Sequence, residues 1–131
     1  MSVKRPVGSP YTVTTPDDLR VDTRDDRGCA VVAVAGELDV YSVPRLQSEL
    51  RRVMATGRFT VVVDLTDVAF MDSSGLGVLV SAHKRMLAVR GTLRVVTDQP
   101  LVLKLLRITS LAGVLAVYPT LDAALAEHAS G

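Results

Sequence analysis

Apolar and polar residues follow two repeating patterns along the chain, and the first of them predicts strands. Three short stretches are apolar on both faces, as expected of central strands buried between helices. Another alternates apolar and polar residues with period two, which is typical of an edge strand with one wet face. A last short apolar stretch completes the set. In chain order the predicted strands are Leu19–Arg24, Ala30–Ala35, Thr60–Leu65, Thr92–Val96 and Val114–Tyr118.

The second pattern predicts helices between these strands, because apolar residues recur there at steps of three and four. Ser42 is the predicted N-cap of the first helix, with Pro44 in its first turn, and Thr120 is the predicted cap of the last. The third helix is expected to open at Asp98 and Pro100. The predicted buried stripes are Leu46, Leu50, Val53 and Met54; Leu76, Leu79, Val80, His83, Met86 and Leu87; Leu101, Leu105 and Leu106; and Leu121, Ala124 and Leu125.

Strands that alternate with helices across short links indicate an α/β domain with a largely parallel sheet. The first two strands flank the turn residues 25–28 and should pair antiparallel, so the sheet is mixed. We predict one domain over residues 17–128, with a mixed, mostly parallel sheet and about four helices. Residues 1–16 are rich in Pro, Ser, Thr and Gly and are predicted to form a flexible tail, as are residues 129–131.

Two links between strands and helices carry polar residues. Gly36–Asp39 is predicted to leave the second strand, and a short link through Phe70 and Met71 to lead from the third strand to Asp72. We expect Asp39 and Asp72 to lie on one exposed rim of the domain.

Composition narrows the classes of partner. Fifteen basic residues balance fourteen acidic ones, and a formal net charge of +1 gives no large field to attract nucleic acid or anionic lipid. Aromatic residues make up only 4%, which argues against a stacking platform for single-stranded nucleic acid. Cys29 is the only cysteine, so a reducing, cytoplasmic setting is expected. We find no secretory signal and no apolar run approaching the roughly 20 residues that span a bilayer.

The segment from Asp72 to Gly77 carries the chemistry that the sequence suggests. A buried strand brings the chain to the surface there and a helix begins at once, so Asp72 or Ser73 is predicted to cap its first N–H groups. Gly75 and Gly77 are expected to keep the first turn open for another molecule. A phosphate on a hydroxyl here would meet the positive helix end and several unpaired donors, so its charge of about −2 should alter the rim without unfolding the domain.

Other chemistries find little support in the sequence. The serines lack the Gly-x-Ser-x-Gly pattern of many hydrolases, and neither His83 nor His128 is placed as a base. Cys29 and these histidines have no metal-ligand spacing, and no P-loop lysine follows Gly77. We therefore expect no enzymatic activity, no cofactor and no metal. Cys29 is interpreted as a small buried hydrophobe rather than a redox sensor.

Two motifs resemble the signatures of the bacterial anti-sigma factor antagonists, which are STAS-domain proteins. Met71–Leu79 is similar to their serine-loop signature, and Gly36–Asp39 to an earlier Gly-Glu-Leu-Asp signature at the matching distance. Val61–Leu65 resembles the strand before the serine loop. The resemblance covers about residues 19–127, and the two motifs together, in this order, are specific.

The resemblance implies a partner-switching cycle. The unphosphorylated protein would bind an anti-sigma factor with serine kinase activity and free a sigma factor, phosphorylation of Ser73 would end that binding, and a serine phosphatase would restore it. It also implies that Asp39 contacts the kinase, that Asp72 orients the Ser73 hydroxyl, and that Ser74 and Gly75 belong to the same partner-binding surface. Asp39→Ala is then expected to weaken docking without lowering stability. The protein would be a monomer or weak dimer.

A second hypothesis is a STAS signalling or ligand-sensing module of a stress-sensor complex, with weak nucleotide binding at the start of the serine helix. Gly75-Leu76-Gly77 resembles a phosphate cradle in this respect. No attached sensor or transmembrane segment supports this alternative, and phosphorylation at Ser73 would discriminate the two.

Overall fold

Residues 19–130 are described by a computed structural model, and in that range five strands alternate with four α-helices. The elements are β1 (Arg20–Asp26), β2 (Cys29–Leu38), α1 (Val43–Met54), β3 (Thr60–Met71), α2 (Ser73–Ala88), β4 (Thr92–Val96), α3 (Pro100–Ile108), a short 3₁₀ helix (Leu111–Gly113), β5 (Ala116–Tyr118) and α4 (Leu121–Ser130). The predicted tail at residues 1–16 lies outside the described residues.

The strands form one sheet in the order β1-β2-β3-β4-β5. β1 pairs antiparallel with β2, while the other three neighbouring pairs are parallel. Each parallel pair is connected through a helix, as parallel strands require. The predicted fold class, a mixed and mostly parallel α/β domain with about four helices, is confirmed.

Both faces of the sheet are covered, which explains why the central strands are apolar throughout. Val61 and Val63 of β3 point into the larger core, under α1, α2 and α3, whereas Val62 points to a smaller core under α4. Cys29 belongs to this second core and is fully buried. Burial raises the pKa of its thiol above the ordinary value, although Arg94 opposes the shift. The interpretation of Cys29 as a buried hydrophobe is confirmed.

The two strands that precede Asp39 and Asp72 are longer than predicted. β2 continues to Leu38 and β3 to Met71, so Gly36–Leu38 and Phe70–Met71 are strand residues rather than links. The pairing of β2 with β3 shifts register twice in this region, once beside Gly36, whose φ of +123° is accessible mainly to glycine. These irregularities break the period-two pattern, which is why the sequence alone placed the end of β3 too early.

Two other element bounds are corrected. The last strand is only Ala116–Tyr118, because the N–H groups of Val114 and Leu115 bond back to the carbonyl of Leu111 and close the turn after the 3₁₀ helix. α4 runs to Ser130, so the predicted tail at residues 129–131 begins inside a helix. The predicted cap of α4 is confirmed, since Thr120 Oγ1 accepts a hydrogen bond from the N–H of Ala123 at 3.1 Å.

The buried face of α2 is rotated from its predicted position. His83 is only half-buried and Leu87 is 58% exposed, so neither belongs to the core stripe. The helix instead buries small residues that an apolar-residue count overlooks, and they let α2 approach the sheet and α1 closely. Its buried residues are Gly75, Leu76, Val78, Leu79, Ala82 and Met86.

Candidate functional site

The carboxyl-terminal ends of β2 and β3 lie side by side at one edge of the sheet. Leu38 pairs with Met71 in the register, and the N–H of Asp72 donates to the carbonyl of Leu38 at 3.1 Å. This bond joins two segments that are more than thirty residues apart in the chain. The two motifs singled out in the sequence therefore form one surface, as expected.

Asp72, rather than Ser73, caps α2. Its backbone is extended, and Oδ1 of its carboxylate accepts a hydrogen bond from the N–H of Ser74 at 2.8 Å. Ser73 is the first residue of the helix and is exposed, whereas Ser74 is half-buried. The cap thus presents the Ser73 side chain to solvent at the positive end of the helix dipole.

The first turn of α2 has fewer unpaired donors than the sequence suggested. The carbonyl of Asp72 accepts from the N–H of Gly75 at 3.1 Å and from that of Leu76 at 3.4 Å, while the N–H of Ser74 is bound to the Asp72 carboxylate. A phosphate on Ser73 would therefore feel the dipole but would find these three donors occupied. The same occupancy, with a carboxylate at the helix mouth, disfavours this turn as a nucleotide-phosphate cradle.

The two glycines of the serine segment have different roles. A Cβ on Gly75 would lie 2.5 Å from Cγ of Met71 and 3.1 Å from Cδ2 of Leu38, so Gly75 makes room for the core and not for a partner. A Cβ on Gly77 would meet nothing within 4 Å. The expected open approach to the backbone applies to Gly77, which is exposed, and is corrected for Gly75, which is buried.

Asp39 shapes the turn between β2 and α1. Its Oδ1 accepts hydrogen bonds from the N–H groups of Tyr41 and Ser42, each at 3.0 Å. Ser42 occupies the predicted N-cap position of α1, but its hydroxyl makes no capping hydrogen bond. That hydroxyl instead donates to the carbonyl of Glu37 at 2.7 Å and accepts from the N–H of Asp39 at 3.0 Å. The turn is thus closed by two side chains and is held rigidly at the sheet edge.

The electrostatics of this edge differ from those of the whole chain. Residues 28–44 and 59–83, which include both strand ends, contain no Lys or Arg. We call the acidic side chains that they place at the edge the rim: Glu37, Asp39, Asp67 and Asp72. A chain with a net charge of +1 therefore has acidic but no basic side chains in the two segments that form this edge.

Two functional candidates were missed in the sequence. Tyr41 is 75% exposed and Phe70 is 43% exposed, beside Val40 at 58%. Phe70 pairs with Glu37 near the end of β3, and Val40 and Tyr41 follow the end of β2, so all three lie at the same edge as Ser73. The signal available in the sequence was the presence of two aromatic residues next to the two motifs in a chain with only three Tyr and two Phe.

Residues 19–130 give no support for a metal site or a membrane-spanning helix. No three His, Cys, Asp or Glu side chains in the described part of the chain are grouped to hold a metal ion. No helix among these residues is both long and apolar enough to cross a membrane. His83 is half-buried on α2, and the side chain of His128 is outside the described set.

A family model described as the STAS domain matches residues 20–124. The anti-sigma-B factor antagonist of Bacillus subtilis strain 168 is 32% identical over 100 residues, which cover 76% of this chain and 91% of that protein. A solved anti-sigma factor antagonist from Mycobacterium paratuberculosis has a TM-score of 0.80 and 31% identity, over 88% of this chain and 97% of that one. The chain therefore belongs to the STAS domain family, and within it to the anti-sigma factor antagonists.

The phosphorylated form of the Bacillus cell fate determinant SpoIIAA shares the fold at a lower sequence identity. Its TM-score is 0.65 and its identity 22%, over 82% of this chain and 98% of that one.

The hydrogen bonds of Asp39 change the expected result of its substitution. Asp39→Ala removes an acceptor of two backbone N–H groups and should lower the free energy of unfolding by about 1 kcal/mol. Asp39→Asn keeps an oxygen in that position and should stay within about 0.5 kcal/mol of wild type, while losing the charge. Urea denaturation measures both. Equal losses in the two variants would show that the charge, and not the turn, stabilises this region.

Proposed function

We propose that this protein is a partner-switching anti-sigma factor antagonist controlled at Ser73. In its unphosphorylated form it binds an anti-sigma factor that is also a serine kinase, and the bound sigma factor is released. Phosphorylation of Ser73 ends this binding, and a serine phosphatase restores it. The proposed cycle regulates transcription in the cytoplasm, with the protein itself acting as a monomer or weak dimer and catalysing nothing.

The observation that carries this proposal is the position of the Ser73 side chain. It is the first residue of α2, is exposed, and follows directly on a rigid cap at Asp72. A kinase can reach such a hydroxyl without unfolding any part of the domain. A new negative charge at a helix N-terminus is also tolerated by the fold, so the modification can act on binding alone.

The rim supports a protein partner with complementary charge. Asp39 and Asp72 are both held by hydrogen bonds to backbone N–H groups, so their positions are fixed before any partner arrives. Fixed carboxylates lose little side-chain entropy on binding and favour one register of the complex. Oδ1 of Asp72, the carboxylate next to Ser73 in the chain, is bound to the N–H of Ser74, so the kinase is expected to supply the base for the Ser73 hydroxyl.

Phosphate transfer to Ser73 can be tested directly. The protein is incubated with ATP and, one at a time, with the host's anti-sigma factors that have a serine kinase domain, and the modified residue is mapped by mass spectrometry. We expect label on Ser73 with one kinase, none in Ser73→Ala, and normal labelling in the control Ser74→Ala. Labelling that persists in Ser73→Ala would move the switch elsewhere, and no labelling by any kinase would favour the sensory alternative.

A further inference from the structure

Exposed aromatic and aliphatic side chains lie beside the rim, and the partner-switching cycle assigns them no role. We propose that Tyr41 and Phe70 are the anchor residues of the docking surface, and that the partner receives them in an apolar pocket bordered by Lys or Arg. This inference rests on the proposed function. It adds the chemistry of the partner's contact surface and two residues that determine its affinity.

Both rings are exposed in the free protein and lie at the same end of the sheet. Only five aromatic side chains occur in 131 residues, yet Tyr41 is 75% and Phe70 43% exposed at one edge. Burying apolar surface stabilises a protein by about 25 cal/mol for each Å² removed from water, and an exposed ring forgoes that gain. Aromatic residues are also enriched among the few interface residues that dominate binding. Their placement beside the rim is therefore better suited to a complex than to the free protein.

Both rings are carried on rigid backbone. The N–H of Tyr41 is bound to Oδ1 of Asp39, and the same carboxylate holds the next residue of the turn. Phe70 lies within β3, opposite Glu37 of β2. Anchors on fixed backbone lose little conformational entropy on binding, since only their side-chain rotamers must be ordered.

The rings are close enough to Ser73 to share its interface. Asp72 is bonded to Leu38, and Tyr41 is three residues beyond Leu38, at most about 11 Å along the chain. Phe70 is two residues before Asp72. A standard interface buries about 800 Å² on each partner, which easily includes both rings and the serine.

The charge around the rings defines the border of the partner's pocket. Glu37 is the register partner of Phe70, and the Asp39 carboxylate accepts from the backbone N–H of Tyr41, so each anchor residue has an acidic residue next to its backbone. Because residues 28–44 and 59–83 contain no Lys or Arg, cations from the partner would stabilise those carboxylates when water is excluded. An apolar pocket with basic edges fits both requirements.

Phe59 provides a matched control for these anchors. It is 69% exposed, but it precedes β3, whereas Phe70 is near the carboxyl end of the same strand. Eleven residues of extended chain separate the two rings by about 35 Å. Phe59→Ala therefore removes an exposed ring at the opposite edge of the sheet.

The test uses the anti-sigma kinase that labels Ser73, with every variant placed in the Ser73→Ala background so that it stays unphosphorylated. Calorimetry is expected to show a loss of affinity of about 30-fold in Tyr41→Ala and in Phe70→Ala, since replacing a hot-spot residue by alanine weakens binding by about that factor. Phe59→Ala should bind within about twofold of its parent, and Tyr41→Phe should keep most of the affinity. Raised salt concentration should weaken binding of the parent because the charges at the edge are screened.

The outcomes separate this inference from the function on which it rests. If Ser73 is phosphorylated but Tyr41→Ala and Phe70→Ala bind like Phe59→Ala, the anchors are wrong and the cycle stands. Binding that salt leaves unchanged would remove the basic border from the proposal. A wild-type protein that neither binds nor is phosphorylated overturns both. Circular dichroism and melting curves of the alanine variants should match the parent, so a loss of affinity cannot be assigned to unfolding.

Discussion

Ser73→Asp is expected to bind the anti-sigma partner about a hundredfold more weakly than wild type, because an unpaired charge buried in an interface costs several kcal/mol. A serine kinase must hold the terminal phosphate of its nucleotide against the Ser73 hydroxyl in order to transfer it. A negative group on residue 73 then faces nucleotide phosphates across a desolvated contact. Ser73→Ala lacks the charge and should bind at all times.

The matched control for this prediction is Ser73→Asn, which has the size of aspartate without its charge. It should bind much more tightly than Ser73→Asp. Neither variant should lose stability, since Ser73 is exposed at the first position of α2 and aspartate there interacts favourably with the helix dipole by about 0.3–1 kcal/mol. Calorimetric titration and thermal melts measure the two properties separately. Equal affinities of the Asp and Asn variants would contradict the electrostatic switch.

Gly75→Ala is expected to lower the free energy of unfolding by about 1–3 kcal/mol, as overpacked core sites do. The added methyl group would overlap Cγ and Sδ of Met71, at 2.5 and 2.9 Å, and press on Leu38. Met71 is itself buried and cannot swing into solvent without exposing apolar surface. At roughly 4 °C per kcal/mol for a domain of this size, the melting temperature should fall visibly.

Gly77→Ala is the control, because it makes the same change two residues later in the same helix. A Cβ there meets nothing within 4 Å, so only helix propensity acts and the variant should gain about 0.5–1 kcal/mol. A double-mutant cycle with Met71→Ala adds a second check, since Gly75→Ala should cost less once the Met71 side chain is shortened. Equal stabilities of the two glycine variants would show that Gly75 does not serve core packing.

The elements of the fold could be predicted well from local patterns. The apolar stretch Ala30–Ala35 and the helical stripe of Leu46, Leu50 and Val53 each reflect a periodicity that a segment carries by itself. The cap at Asp72 and the cap at Thr120 are also local, because donor and acceptor lie within three residues of each other.

The rotation of α2 could not be predicted in the same way. Leu87 and Val80 are as apolar as Leu79, and only the position of α2 between the sheet and α1 decides which of them is covered. The end of β3 was missed for a related reason. The strand stays paired with β2 through two register shifts and continues to Met71, although its own pattern of apolar and polar residues is broken earlier.

The sequence by itself determined the strand–helix alternation, the two motifs and the serine that begins α2. The tertiary structure alone decided that the Asp39 turn lies beside Asp72, that Gly75 faces the core, and that Tyr41 and Phe70 stand exposed beside Ser73. The physical reason is the range of the interactions involved. Periodicity and capping act over a few residues, whereas the rim exists because the Leu38–Asp72 bond and the β2–β3 register bring together segments that are remote in the chain.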